Sequence, residues 1–137
     1  MSAILRLIMS KPGLVHGSEL TNQIIALAMR VHTRLGPGLL ESAYERCLCY
    51  ELDRHAVPHA RQVELPIEYD GLLLECGYRA DIIVANEVIL EIKSVDRLLP
   101  IHEAQLLTYL RISNHHIGLL LNFNTTSLKN GLRRCVL

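Results

Sequence analysis

A chain of 137 residues with 14 basic and 14 acidic side chains carries no net charge, which argues against a strong, non-specific nucleic-acid binder. Half of the residues are hydrophobic, so extended disorder is excluded, and the length suits one domain with a real core rather than two. Trp is absent and Phe occurs once, so the core must be built from Leu, Ile and Val.

Residues 1–17 show no period and contain Pro12, Gly13 and Gly17; they read as an N-terminal extension to a domain over 18–137. The apolar start is split by Arg6, is too short to span a bilayer and lacks a cleavage site of small residues. A cytoplasmic protein without membrane association is expected. Four cysteines at 47, 49, 76 and 135 lack zinc or iron–sulfur spacing and read as free thiols.

Ser18 can cap a helix, on which Leu20, Ile24, Leu27, Ala28, Val31 and Leu35 form one apolar stripe. Gly36-Pro37-Gly38 stops it. A second helix is predicted from about Leu39 to Arg54, with Leu40, Cys47, Leu48 and Leu52 inward and Glu41, Tyr44 and Glu45 on a neighbouring stripe. Gln62 to Tyr69 alternates as a half-exposed strand, and Pro66 marks it as an edge. Asp70-Gly71 predicts a tight turn into a long strand, Leu72 to Val84, bent near Cys76-Gly77. A third strand runs from Val88 to Lys93.

The hairpin 79–93 holds the chemistry. Asp81, Glu91 and Lys93 interrupt otherwise apolar arms, and an unpaired charge there is costly to bury. A three-residue turn at 85–87 pairs Val84 with Val88 and brings Asp81 opposite Glu91, with Lys93 further along the same face. A two-residue turn would send one carboxylate to the other face. In the first register, two carboxylates and an ammonium converge, which suits a divalent cation holding a phosphate. Glu91 and Lys93 could also form an ordinary ion pair on an exposed strand face.

A helix follows from about Ile101 to Ser113, with His102, Gln105 and Tyr109 on one side and Leu106, Leu107 and Leu110 on the other. His116 to Asn122 reads as a buried strand, and Leu132 to Leu137 as a last edge strand. The order α-α-β-β-β-α-β-(β) predicts an α/β (α+β) fold, a mixed sheet flanked by helices.

An acidic residue on a leading helix, Asp81 on the second strand, Glu91-x-Lys93 on the third and Gln105-x-x-x-Tyr109 on the next helix resemble the PD-(D/E)XK nuclease superfamily. The Gln-to-Tyr element is similar to the RecB-like and lambda-exonuclease-like branch. Gly38-Leu39-Leu40-Glu41-Ser42-Ala43-Tyr44 resembles the signature of the GxxExxY family. Leu35-Gly36-Pro37-Gly38, Gly77-Tyr78-Arg79-Ala80-Asp81, His102-Glu103-Ala104-Gln105-Leu106-Leu107 and Asn122-Phe123 extend the match from about residue 18 to the end.

The resemblance implies a restriction-endonuclease-like αβββαβ core and a Mg²⁺- or Mn²⁺-dependent nuclease acting on nucleic acid, with DNA the expected substrate. It makes Asp81, Glu91 and the Ile92 backbone carbonyl metal ligands, with Glu41 reaching in from its helix. Lys93 would orient the attacking water. Gln105 would orient Lys93 or a phosphate, and Tyr109 and Arg79 would contact the substrate backbone. Arg79 could instead pair with Asp81 or Glu91, His102 could simply cap its helix, and Lys129, Arg133 and Arg134 read as a solvated charged edge. A nucleic-acid- or protein-binding module that keeps the fold but scarcely cuts is the alternative. The aliphatic helix 18–35 could also serve a homodimer or a regulatory, toxin–antitoxin-like component.

Overall fold

The computed structural model describes residues 16–137, with side chains from Glu19 onward. Most of the expected extension lies outside the described residues. The leading helix α1 (His16–Leu35) already runs from His16, ahead of the predicted cap at Ser18. Leu20, Ile24, Leu27, Ala28 and Val31 are buried along one stripe, whereas Leu35, expected to join them, is 40% exposed. The stripe ends where the chain turns through Gly36 and Gly38, both at positive φ.

α2 (Glu41–Arg54) starts two residues later than predicted. Leu40 therefore precedes the helix and is 77% exposed, correcting its expected inward position. Tyr44, Leu48 and Leu52 are fully buried.

The predicted strand 62–69 is two strands, β1 (His59–Glu64) and β2 (Ile67–Tyr69), because Pro66 cannot continue the ladder. The predicted strand 72–84 likewise divides into β3 (Leu72–Leu74) and β4 (Arg79–Val84) around Gly77 at φ +78. β2 and β3 form a separate two-stranded hairpin, closed by Asp70 and Gly71 at positive φ, as an Asp-Gly turn requires.

β5 (Val88–Lys93), α3 (Pro100–Ser113), β6 (Ile117–Asn122), a 3₁₀ turn (Leu128–Gly131) and β7 (Leu132–Val136) complete the order. The main sheet runs β1-β4-β5-β6-β7. All neighbours are antiparallel except β5 and β6, which are parallel and joined by the α3 crossover.

Strand alternation sorts the core into two layers. Val88, Leu90 and Ile92 of β5 and Leu119 and Leu121 of β6 pack against α1 and α2. Ile89 and Leu120 point the other way, against Leu106, Tyr109 and Leu110 of α3. Glu91 and Lys93 share the parity of Ile89, so the sheet presents them on the α3 side. α3 crosses β6 so closely that a Cβ at Gly118 would stand 2.8 Å from Leu106 Cδ1. That approach sets the height at which Gln105 and Tyr109 stand over the sheet.

Candidate active site

Three residues form the turn between β4 and β5, and the pairs Val84–Val88, Ile83–Ile89 and Ile82–Leu90 follow the predicted register. Beyond Leu90 the backbone ladder gives way to side chains. The Asp81 amide donates to Glu91 Oε1 at 3.1 Å, and the Ile92 amide donates to Asp81 Oδ2 at 2.8 Å. Each carboxylate thus takes an amide of the opposite strand. The strands part where the acids stand and still hold them together.

Burial makes this pair electrostatically expensive. Glu91 is 5% exposed, and its carboxyl is pushed up to about 8, first by desolvation and then by the charge of Asp81. Desolvation also raises Asp81, opposed by the Ile92 amide and helped by Glu45. Lys93 lowers both carboxyls and Glu41 raises both, so all four groups share one field. Tyr109 is raised by burial and then by Glu91 and Asp81, which puts the α3 tyrosine within the same field.

The loop before α2 is fastened to the site. Tyr44 stacks on Phe123 with ring centroids 4.5 Å apart. Its hydroxyl donates to the Gly36 carbonyl at 2.6 Å and accepts from the Leu39 amide at 3.1 Å. Ser94, next to Lys93, donates to the Leu39 carbonyl at 2.6 Å. Gly38 makes a left-handed turn, Glu41 stands in the first turn of α2, and Tyr44 ties Gly36 to Leu39 across the left-handed turn. Tyr44→Phe keeps the stack but strands an amide and a carbonyl. It should lower unfolding stability in urea by about 1–2 kcal/mol.

The other candidate residues have partners of their own. Arg79 lies 3.4 Å from Glu64 Oε1, its cross-strand neighbour, rather than pairing with Asp81 or Glu91. Gln105 donates to the Tyr109 hydroxyl at 3.2 Å, one turn further along α3. His102 accepts from the Leu99 amide and caps α3. Arg133 lies 3.6 Å from Glu103.

Sequence reasoning gave three residues near the site no role there. Asn122, 1% exposed, accepts from the amides of Val95 and Asn124 and donates to the Val95 carbonyl, fixing the segment after Lys93. A buried Asn at the end of an apolar strand was the available signal. Glu45 and Gln62 lie beside Asp81, and Gln62 carried no signal, because nothing local marks its backbone conformation.

Among the described residues, no three His, Cys, Asp or Glu side chains gather into a ready metal cage. The donors nevertheless fit a divalent cation. Two desolvated carboxyl groups offer hard oxygens whose ionised forms a cation would stabilise, and Mg²⁺ commonly binds one or two carboxylates with waters and substrate phosphates completing the shell.

A mixed five-stranded sheet between helices, with Asp and Glu-x-Lys on its central hairpin, defines a restriction-endonuclease-like fold. The family model of the PD-(D/E)XK nuclease superfamily matches residues 18–135, and the chain belongs to that superfamily. No curated protein and no solved structure matches it. Among the described residues, no helix is long and apolar enough to cross a membrane.

Proposed function

We propose that the protein is a metal-dependent nuclease that hydrolyses phosphodiester bonds in DNA, of the GxxExxY type within the RecB-like branch. Residues 18–137 would form the catalytic domain and residues 1–17 an extension. The carrying observation is the reciprocal pairing of Asp81 and Glu91 with each other's strands, with Lys93 on the same face.

Asp81, Glu91 and the Ile92 carbonyl would hold Mg²⁺ or Mn²⁺, with Glu41 joining directly or through water. Bound there, the cation would neutralise phosphoryl oxygens and help to activate a water. Lys93, half-buried beside the acids, orients that water and meets the charge that develops on phosphorus. Water attacks phosphorus, the bond to the leaving sugar oxygen breaks, and a phosphomonoester and a hydroxyl result. Gln105 and Tyr109, linked by their own hydrogen bond, form the α3 wall along which the substrate backbone would run.

The test incubates the purified full chain with single-stranded DNA, duplex DNA and RNA under Mg²⁺, Mn²⁺, Ca²⁺ or a chelator. Cleavage of DNA with Mg²⁺ or Mn²⁺, and none with the chelator, is expected. Binding under Ca²⁺ with no cleavage under any metal would favour the non-cutting module instead.

A further inference from the structure

Gln62 stands within β1 at φ +54, the left-handed region that residues other than glycine rarely enter in a strand. β1 and β4 pair on either side of it, Arg61 with Ile82 and Val63 with Ala80, so the skipped position lies opposite Asp81. The kink coincides with a bridge. Gln62 Nε2 donates to Glu45 Oε1 at 2.7 Å and lies 3.5 Å from Asp81 Oδ1. Glu45 is 5% exposed, and its other oxygen lies 3.4 Å from Arg61 Nε. Arg61, Glu45, Gln62 and Asp81 therefore form a chain from the sheet edge to the hairpin acids.

A kink needed only to end strand pairing would be served better by glycine, which enters positive φ without steric cost. Here a long amide occupies the position and spends its donor between two carboxylates. Glu45 also raises the Asp81 carboxyl, as expected of two close acids. An amide between them neutralises neither but gives both an N–H to face.

We propose that Gln62 is a positioning residue that bridges Glu45 to Asp81 and holds the Asp81 carboxylate in the orientation that receives a divalent cation. This rests on the metal-dependent reading above. Outer hydrogen-bond partners of metal ligands are typically worth about 10- to 100-fold in affinity.

The test measures Mn²⁺ binding by calorimetry and thermal melting of the metal-free full chain. Gln62→Gly removes the amide while easing the backbone, and the relief at φ +54 offsets part of the hydrogen bond lost by Glu45, so the chain should stay folded while its Mn²⁺ dissociation constant rises about tenfold. Gln62→Asn also tolerates left-handed backbone, but it is one methylene too short to bridge, and it should weaken Mn²⁺ similarly. Native-like Mn²⁺ affinity in either folded variant overturns the proposal. If the unaltered chain binds no Mn²⁺ at all, the metal-dependent reading falls and this inference falls with it.

Discussion

Lys93→Ala should reduce metal-dependent DNA cleavage by about 100- to 1000-fold while leaving the fold and Mn²⁺ binding in place. That is the usual loss when one preorganised donor to a charged transition state is removed. Lys93 is half-buried on the last position of β5, and its flank is fixed independently by Ser94 on Leu39 and Asn122 on Val95. Removing its ammonium therefore subtracts charge without loosening the strand. Asp81→Asn is the companion variant. Its side-chain oxygen can still accept from the Ile92 amide, but it contributes no charge. Cleavage should fall to background and Mn²⁺ binding should weaken with it. The two variants separate the roles: Lys93 affects turnover, Asp81 affects metal affinity and turnover together. Equal cleavage by native chain and both variants would trace the activity to a contaminant and remove the site assignment.

The metal-free protein should lose stability as pH rises between about 4.5 and 8. Glu91 titrates near 4.5 when unfolded and near 8 when folded. Below that window both states are protonated, so the group has no effect on stability. Within it the folded protein retains a proton that the unfolded chain has released, and the folded state loses ground with each step up in pH. Above about 8 both are ionised and the full penalty remains. Each pKa unit corresponds to about 1.4 kcal/mol, so the loss amounts to a few kcal/mol. Asp81, raised by the same burial, acts in the same direction. Glu91→Gln should match the native chain at pH 5 and exceed it at pH 9 in urea unfolding. Mn²⁺ should reverse the loss, raising the melting temperature more at pH 8 than at pH 5, because it binds only the ionised pair. A flat native profile across the window would show that Glu91 is not held in the desolvated state.

Much of this architecture follows from local pattern. The apolar runs 88–92 and 117–121 mark strands buried on both faces, and the stripe on α1 states which side of that helix leaves water, because the periods of strand and helix leave little freedom once apolar residues must be covered. The three-residue turn at 85–87 was equally legible, and with it the convergence of Asp81 and Glu91. The breaks in the two longer predicted strands were less so. Pro66 and Gly77 mark both, but the chain could have bent there within one sheet; instead 67–74 form a separate two-stranded hairpin.

The sequence by itself determined the helices, the α3 crossover and the acidic hairpin, since each is set by spacing along one element or across one short turn. Only the tertiary structure decided that Arg79 pairs with Glu64, that Gln105 turns to Tyr109, and that Gln62 kinks to join Glu45 with Asp81. These choices are made between elements distant in sequence, where a side chain takes the nearest partner that packing offers. The depth of burial that lifts Glu91 to about 8 was decided there too, because desolvation is a property of the closed core and not of any one strand.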